Sequence, residues 1–146
     1  MIKGLNKLMN NLSEQGLNKM SQKPLKEYMN KVVTDAKTNA PSIVIDRVNG
    51  VANIKSTNVG ATITGGVKNG VGYVDVGDPE GPYIEFGTGQ FARDLLGTYP
   101  PEWQDIASDF YAGGKGTTES SEYLKPAFDN NEKIFDQELQ KMLDKL

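Results

Sequence analysis

The side chain with the clearest chemical potential is Glu85, an acid set inside the apolar run Tyr83-Ile84-Glu85-Phe86. Burial disfavours the charged form of a carboxyl group, and the raised pKa that follows would suit acid catalysis. The structural alternative is a glutamate on the open or edge face of a sheet, or one paired with Lys or Arg at a subunit contact. No second acid stands at a readable spacing from Glu85, so the sequence assigns no catalytic residue. Asp75, Asp78 and Glu80 cluster just upstream and would suit calcium, but Asp78-Pro79-Glu80-Gly81 reads first as a turn, and no metal site is assigned.

Two glycine patterns invite a cofactor reading. Gly87-Thr88-Gly89-Gln90-Phe91-Ala92 fits G-x-G-x-x-A after a predicted strand, but a dinucleotide fingerprint belongs in a βαβ unit with a helix directly after it. Here the strand closes a series of hairpins, and Gly97 with Pro100-Pro101 leaves room for little helix. Gly113-Gly114-Lys115-Gly116-Thr117-Thr118 resembles a phosphate loop in composition alone. The pattern needs glycine where Asp109 stands and Ser or Thr where Gly116 stands. No cofactor is expected. The chain has no histidine and no cysteine, which removes Cys/His zinc sites, Ser-His-Asp triads, Cys-His pairs and disulfides.

The elements that position these residues can be read from periodicity. Leu25, Tyr28, Met29, Val32, Val33 and Ala36 form one apolar stripe of a helix over 22–39, with Ser21 as its cap, Pro24 in its first turn and Pro41 closing it. Ile2, Leu5, Leu8, Met9 and Leu12 suggest a shorter helix that ends near Gly16, so that residues 1–21 make a helical arm. From residue 42 the period falls to two. Strands are expected at Ser42–Val48 and Val51–Thr57 around Asn49-Gly50, and at Ala61–Val67 and Val71–Val76 around Asn69-Gly70, each pair a type I′ hairpin signal. A fifth strand is expected at Tyr83–Phe86. Residues 87–122 read as a long loop insertion with a short helix at Pro101–Tyr111, and residues 126–145 as a final helix that Pro126 opens. The expected fold is therefore one α+β domain of 146 residues, an antiparallel sheet of about five strands covered by an N-terminal and a C-terminal helix.

Charge narrows the partners. The net charge is −3, yet residues 1–40 carry seven lysines against Glu14, Glu27 and Asp35, a balance of +4 that leaves −7 for the rest. An acidic body repels phosphate, and the lysines have only Tyr28 among them, so a nucleic-acid-binding module is not expected. These charges read first as solvated helix faces, and alternatively as a basic segment on an acidic body that would help identical subunits meet head to tail. No apolar run approaches the roughly 20 residues that cross a bilayer, and the first residues lack the apolar stretch of a signal peptide, so a soluble protein that stays where it is made is expected.

Four features in order resemble a family of minor tail components of long-tailed bacteriophages (siphoviruses among them), the head–tail joining or tail-completion proteins. They are the helix end Asp35-Ala36-Lys37-Thr38-Asn39-Ala40-Pro41, the expected strand Gly81-Pro82-Tyr83-Ile84-Glu85-Phe86-Gly87-Thr88, the segment Tyr123-Leu124-Lys125-Pro126-Ala127-Phe128, and the charged C-terminal helix. The match runs from about residue 24 to the end through short motifs. After Ala40-Pro41 the family often has an Asp-Thr-Gly-x-Leu turn, where this chain has Ser42-Ile43-Val44-Ile45, and the stretch from Thr88 to Tyr123 is longer than usual.

The resemblance implies a structural virion protein and no enzyme: a homo-oligomeric ring, hexamer or dodecamer, at the head–tail junction (the neck), assembled in the cytoplasm of a bacterial host. Its implied partners are further copies of itself and the connector, neck and tail-tube proteins, with DNA passing through without specific binding and no membrane contact. It marks Tyr83, Glu85, Phe86, Gly87, Thr88, Leu124, Pro126 and Phe128 as the motif and interaction residues. The other readings are a small carboxylate hydrolase or ligand-binding module, and a tail terminator or tail-tube subunit.

Overall fold

The computed structural model describes residues 14–111 and 116–145. The fold is α+β. In chain order its elements are α1 (Glu14–Asn39), β1 (Ile43–Val48), β2 (Val51–Ser56), β3 (Ile63–Lys68), β4 (Val71–Val76), α2 (Gly81–Phe86), α3 (Gln90–Leu95), α4 (Pro101–Tyr111) and α5 (Leu124–Asp144).

Both hairpins form around the residues that signalled them. Asn49 and Gly50 have φ of 52° and 76°, and Asn69 and Gly70 have 54° and 78°, the paired positive values of type I′ turns. The five-stranded sheet does not form. The described strands make two separate two-stranded antiparallel sheets, β1-β2 and β3-β4. Their linker explains the separation. A 3-10 turn at Val59–Thr62 inserts the fully buried Val59 into the core beside α1, which carries the chain away from β2 before β3 begins. The β3-β4 hairpin then lies directly on α1. A Cβ at Gly65 would come within 2.6 Å of the Val33 side chain, and one at Gly72 within 2.7 Å of Met29 Sδ.

The expected fifth strand is the helix α2. A run as short as Tyr83-Ile84-Glu85-Phe86 does not separate strand from buried helix by periodicity, and Pro82, pre-set for a first helical turn, decides for helix. Helix α1 is also continuous from Glu14, so it neither breaks near Gly16 nor starts at a Ser21 cap; Pro24 lies inside it. The earlier part of the expected arm lies outside the described residues. Helix α5 starts at Leu124, so that Pro126 is its third residue rather than its first.

Helices α1 and α5 pack together, with Tyr28 stacked on Phe135 at 4.8 Å and Asn131 donating to Asp35 at 2.7 Å. One core gathers Val32, Ala36, Val59, Ile63, Ile84, Tyr123 and Ala127. The region expected to be an irregular insertion is largely helical, with its own core of Phe86, Tyr99 and Ala107, flanked by Trp103 and Phe110. Helix α4 spans the expected residues. Trp103 meets Phe128 of α5 edge to face at 5.8 Å, which docks this helical unit on the body.

Candidate functional site

Glu85 is fully buried on α2 rather than on a sheet face, and among the described residues no Lys or Arg forms a salt bridge with it. Its carboxylate sits at the N-terminus of α5. Oε2 accepts the backbone N–H of Tyr123 at 2.6 Å and of Leu124 at 2.9 Å, and Oε1 accepts that of Lys125 at 2.9 Å. A helix starts with four N–H groups that lack intrahelical partners. In α5 these would belong to Tyr123, Leu124, Lys125 and residue 126, and proline at 126 has no N–H. One side chain from a distant turn thus accounts for every donor at this helix start. Burial raises the Glu85 pKa above the ordinary carboxylate value; the three N–H bonds pull the other way and nearby Glu122 adds to the rise.

The same two segments meet elsewhere. The Tyr123 hydroxyl donates to the Gly81 carbonyl at 2.8 Å, and Ser121 N–H donates to the Ile84 carbonyl at 2.7 Å. Thr88 N–H donates to the Thr118 carbonyl at 2.9 Å, and Thr118 N–H returns to Thr88 Oγ1 at 3.0 Å. Gly87 caps α2 with φ of 70°, where a side chain would be strained, and a Cβ there would meet Ser120 N at 2.7 Å. Its bend ends helix α2.

The remaining marked residues surround this knot. Phe86 is buried against Tyr99, Trp103 and Phe110. Half-exposed Tyr83 lies edge-on to Phe110 at 4.9 Å. Leu124 and Phe128 pack on the main core, and Pro126 is half-buried at the start of α5. All eight therefore lie in or beside one junction between α2 and α5. The sequence reading left Tyr123 and Tyr99 out of that set. Tyr99 donates to the Glu85 carbonyl at 3.4 Å, and burial raises the phenol pKa of both tyrosines.

A strap, residues 117–121, crosses between this junction and the β1-β2 hairpin. Arg47 N–H donates to the Thr117 carbonyl at 2.8 Å, and Glu119 N–H donates to the Ile45 carbonyl at 2.9 Å, so the strap occupies one edge of β1. Arg47 also pairs with Glu119, and Thr117 with Asp46. Beneath the hairpin is an open cleft of about 330 Å³, walled by Val44, Ile84 and Tyr83 with Asp46, Lys55 and Glu80. Lys55 and Glu80 form an ion pair at 2.5 Å. Among the described residues no three acids group to hold a metal ion; Asp78 instead closes its turn by accepting Glu80 N–H at 2.9 Å.

The outer surfaces are apolar in an unusual place. Every residue of β2 is exposed, with Ile54 at 66% and Val51 at 62%, and Val71 on β4 reaches 65%. Among the described residues no helix is long and apolar enough to cross a membrane. Comparison of the chain with protein-family models, with curated proteins and with solved structures finds no match in any of the three.

Proposed function

We propose that this protein is a ring-forming structural subunit of the head–tail junction of a long-tailed bacteriophage. The observation that carries the reading is the Glu85 junction. Two of the four features on which the family resemblance rests bind each other across 38 residues of sequence, through a carboxylate fully occupied as a helix cap. Their residue types are thus accounted for by architecture, which suits a family whose motifs preserve a scaffold for assembly. The exposed aliphatics of both hairpins supply contact surface, and association rests on apolar contacts with modest charge complementarity and no cofactor. Copies form a hexamer or dodecamer between connector and tail tube, and the acidic body lines a passage through which DNA slides without sticking.

Electron microscopy of lysates from a phage carrying an early stop codon in this gene tests the proposal. Filled heads beside free tails of normal length are expected. Abnormally long tails would instead favour a tail terminator, missing tubes a tube subunit, and intact infectious particles would remove the structural reading. The cleft with Asp46, Lys55 and Glu80 at its walls favours a ligand-binding module as the second reading.

A further inference from the structure

We propose that the free edge of β2 pairs antiparallel with β2 of a second copy, across a two-fold axis at Ile54. This does not rest on the phage reading. Arg47 N–H and the Ile45 carbonyl point away from β2, into the strap. In an antiparallel ladder, residues opposite such positions also point outward. Those opposite Arg47 and Ile45 are Ala52 and Ile54, so their N–H and C=O groups face away from β1. No partner takes these groups among the described residues. Unpaired edges of this kind recruit another strand unless proline, a bulge or charge protects them. Strand β2 has no proline and its register with β1 runs without a bulge. Its one charge, Lys55, is paired with Glu80.

The edge fits a second copy of itself. Placing Ile54 opposite Ile54 of the second copy sets Ala52 against Ser56 on the same face. Ile45 already stands opposite Ile54 within the chain. The four-stranded sheet would therefore carry an unbroken row of four isoleucines, flanking the now exposed Ile54 on both sides. On the other face Asn53 meets Lys55 of the second copy, so no like charges are placed opposite each other. The β1 edge is closed by the strap, so strand addition to this sheet stops at the pair and leaves other surfaces open to further contacts. A two-fold contact of this kind is self-complementary and closed.

Single cysteines test this, because the chain has none of its own. Under mild oxidation Ile54→Cys is expected to form a reducible dimer about tenfold or more faster than Asn53→Cys, whose thiols would stand beyond disulfide reach. Sedimentation velocity over a concentration series is expected to show reversible self-association of the wild type. Ile54→Lys should weaken it about tenfold or more by setting two charges together at the axis. Far-UV circular dichroism verifies that these exposed substitutions keep the fold. A wild type monomeric at every concentration overturns the proposal. So does equal cross-linking of the two cysteine variants, or an assembly that Ile54→Lys leaves unchanged, the last placing the contact on another surface.

Discussion

Glu85 and Tyr123 fasten the same two segments at separate points. The Glu85 carboxylate accepts the Tyr123 N–H at 2.6 Å, and the Tyr123 hydroxyl donates to the carbonyl of Gly81, one helical turn before Glu85, at 2.8 Å. Glu85→Gln keeps the shape but turns one acceptor oxygen into an NH2 group that faces a backbone N–H. It is expected to cost about 2–3 kcal/mol, since a buried donor left unpaired loses its full desolvation energy. Glu85→Ala should cost more, because it strips all three N–H groups of their acceptor. Urea unfolding reads both, and a Gln variant as stable as the wild type would disprove the cap.

Alkaline pH tests the same junction from the tyrosine side. Burial raises the pKa of Tyr99 and Tyr123 well above the usual phenol value of 10.0, so the folded state favours the neutral ring. The sign follows from proton linkage. The stability these phenols contribute is complete below their ordinary pKa and is lost as pH rises from there toward the folded value. Their ionisation should therefore coincide with unfolding when phenolate absorbance and near-UV circular dichroism are followed together. Tyr123→Phe loses the bond to Gly81 at neutral pH but also lacks this alkaline loss. Its stability deficit against the wild type should narrow as the pH climbs above 10.0; a constant deficit would contradict the assignment.

The seat of β3-β4 on α1 gives a steric prediction. A Cβ at Gly65 would lie 2.6 Å from both the Tyr73 carbonyl oxygen and Val33 Cγ2, whereas one at Gly97 would meet nothing within 4 Å. Gly65→Ala is expected to destabilise by about 1–3 kcal/mol, as overpacked sites do. Gly97→Ala, by contrast, should leave the thermal midpoint within experimental error of the wild type. Equal midpoints for the two variants would mean that the hairpin does not rest on the helix at Gly65.

What the sequence disclosed followed from local rules. Asn49-Gly50 and Asn69-Gly70 announce their turns because few other pairs accept two successive positive φ values, and Pro101 marks the start of α4 for similarly local reasons. Structure departs from those local rules where tertiary contacts decide. A run as short as Tyr83–Phe86 reads as one more strand after two hairpins, whereas Pro82 in a first helical turn and burial in the core make it a helix. Ser21 and Pro24 look like a helix start, yet the chain was already helical from Glu14. An acid in an apolar run was visible, but its three donors lie 38 to 40 residues further on. The one local hint was Pro126, whose missing N–H leaves Tyr123, Leu124 and Lys125 as the donors that need an acceptor.

Trp103, the only tryptophan, reports whether the helical unit of α3 and α4 is docked. Its ring stacks on Tyr99 at 5.8 Å and meets Phe128 edge to face at 5.8 Å, so one neighbour belongs to its own unit and the other to α5. Of these two indole contacts Phe128→Ala removes the second, together with the Phe128–Tyr28 ring contact, and opens the side of the indole that faces the body. Because Phe128 is half-buried, the loss should fall at or below the lower end of the range for buried aromatics, about 2–3 kcal/mol. Emission should shift to longer wavelength while far-UV circular dichroism stays unchanged, since α4 and its contacts with Phe86 and Tyr99 persist. Unchanged emission would mean that the indole is shielded by its own unit alone. Loss of helical signal would mean that the Phe86–Tyr99 core cannot hold α4 without the dock, and would make α5 the foundation of the insertion rather than its neighbour.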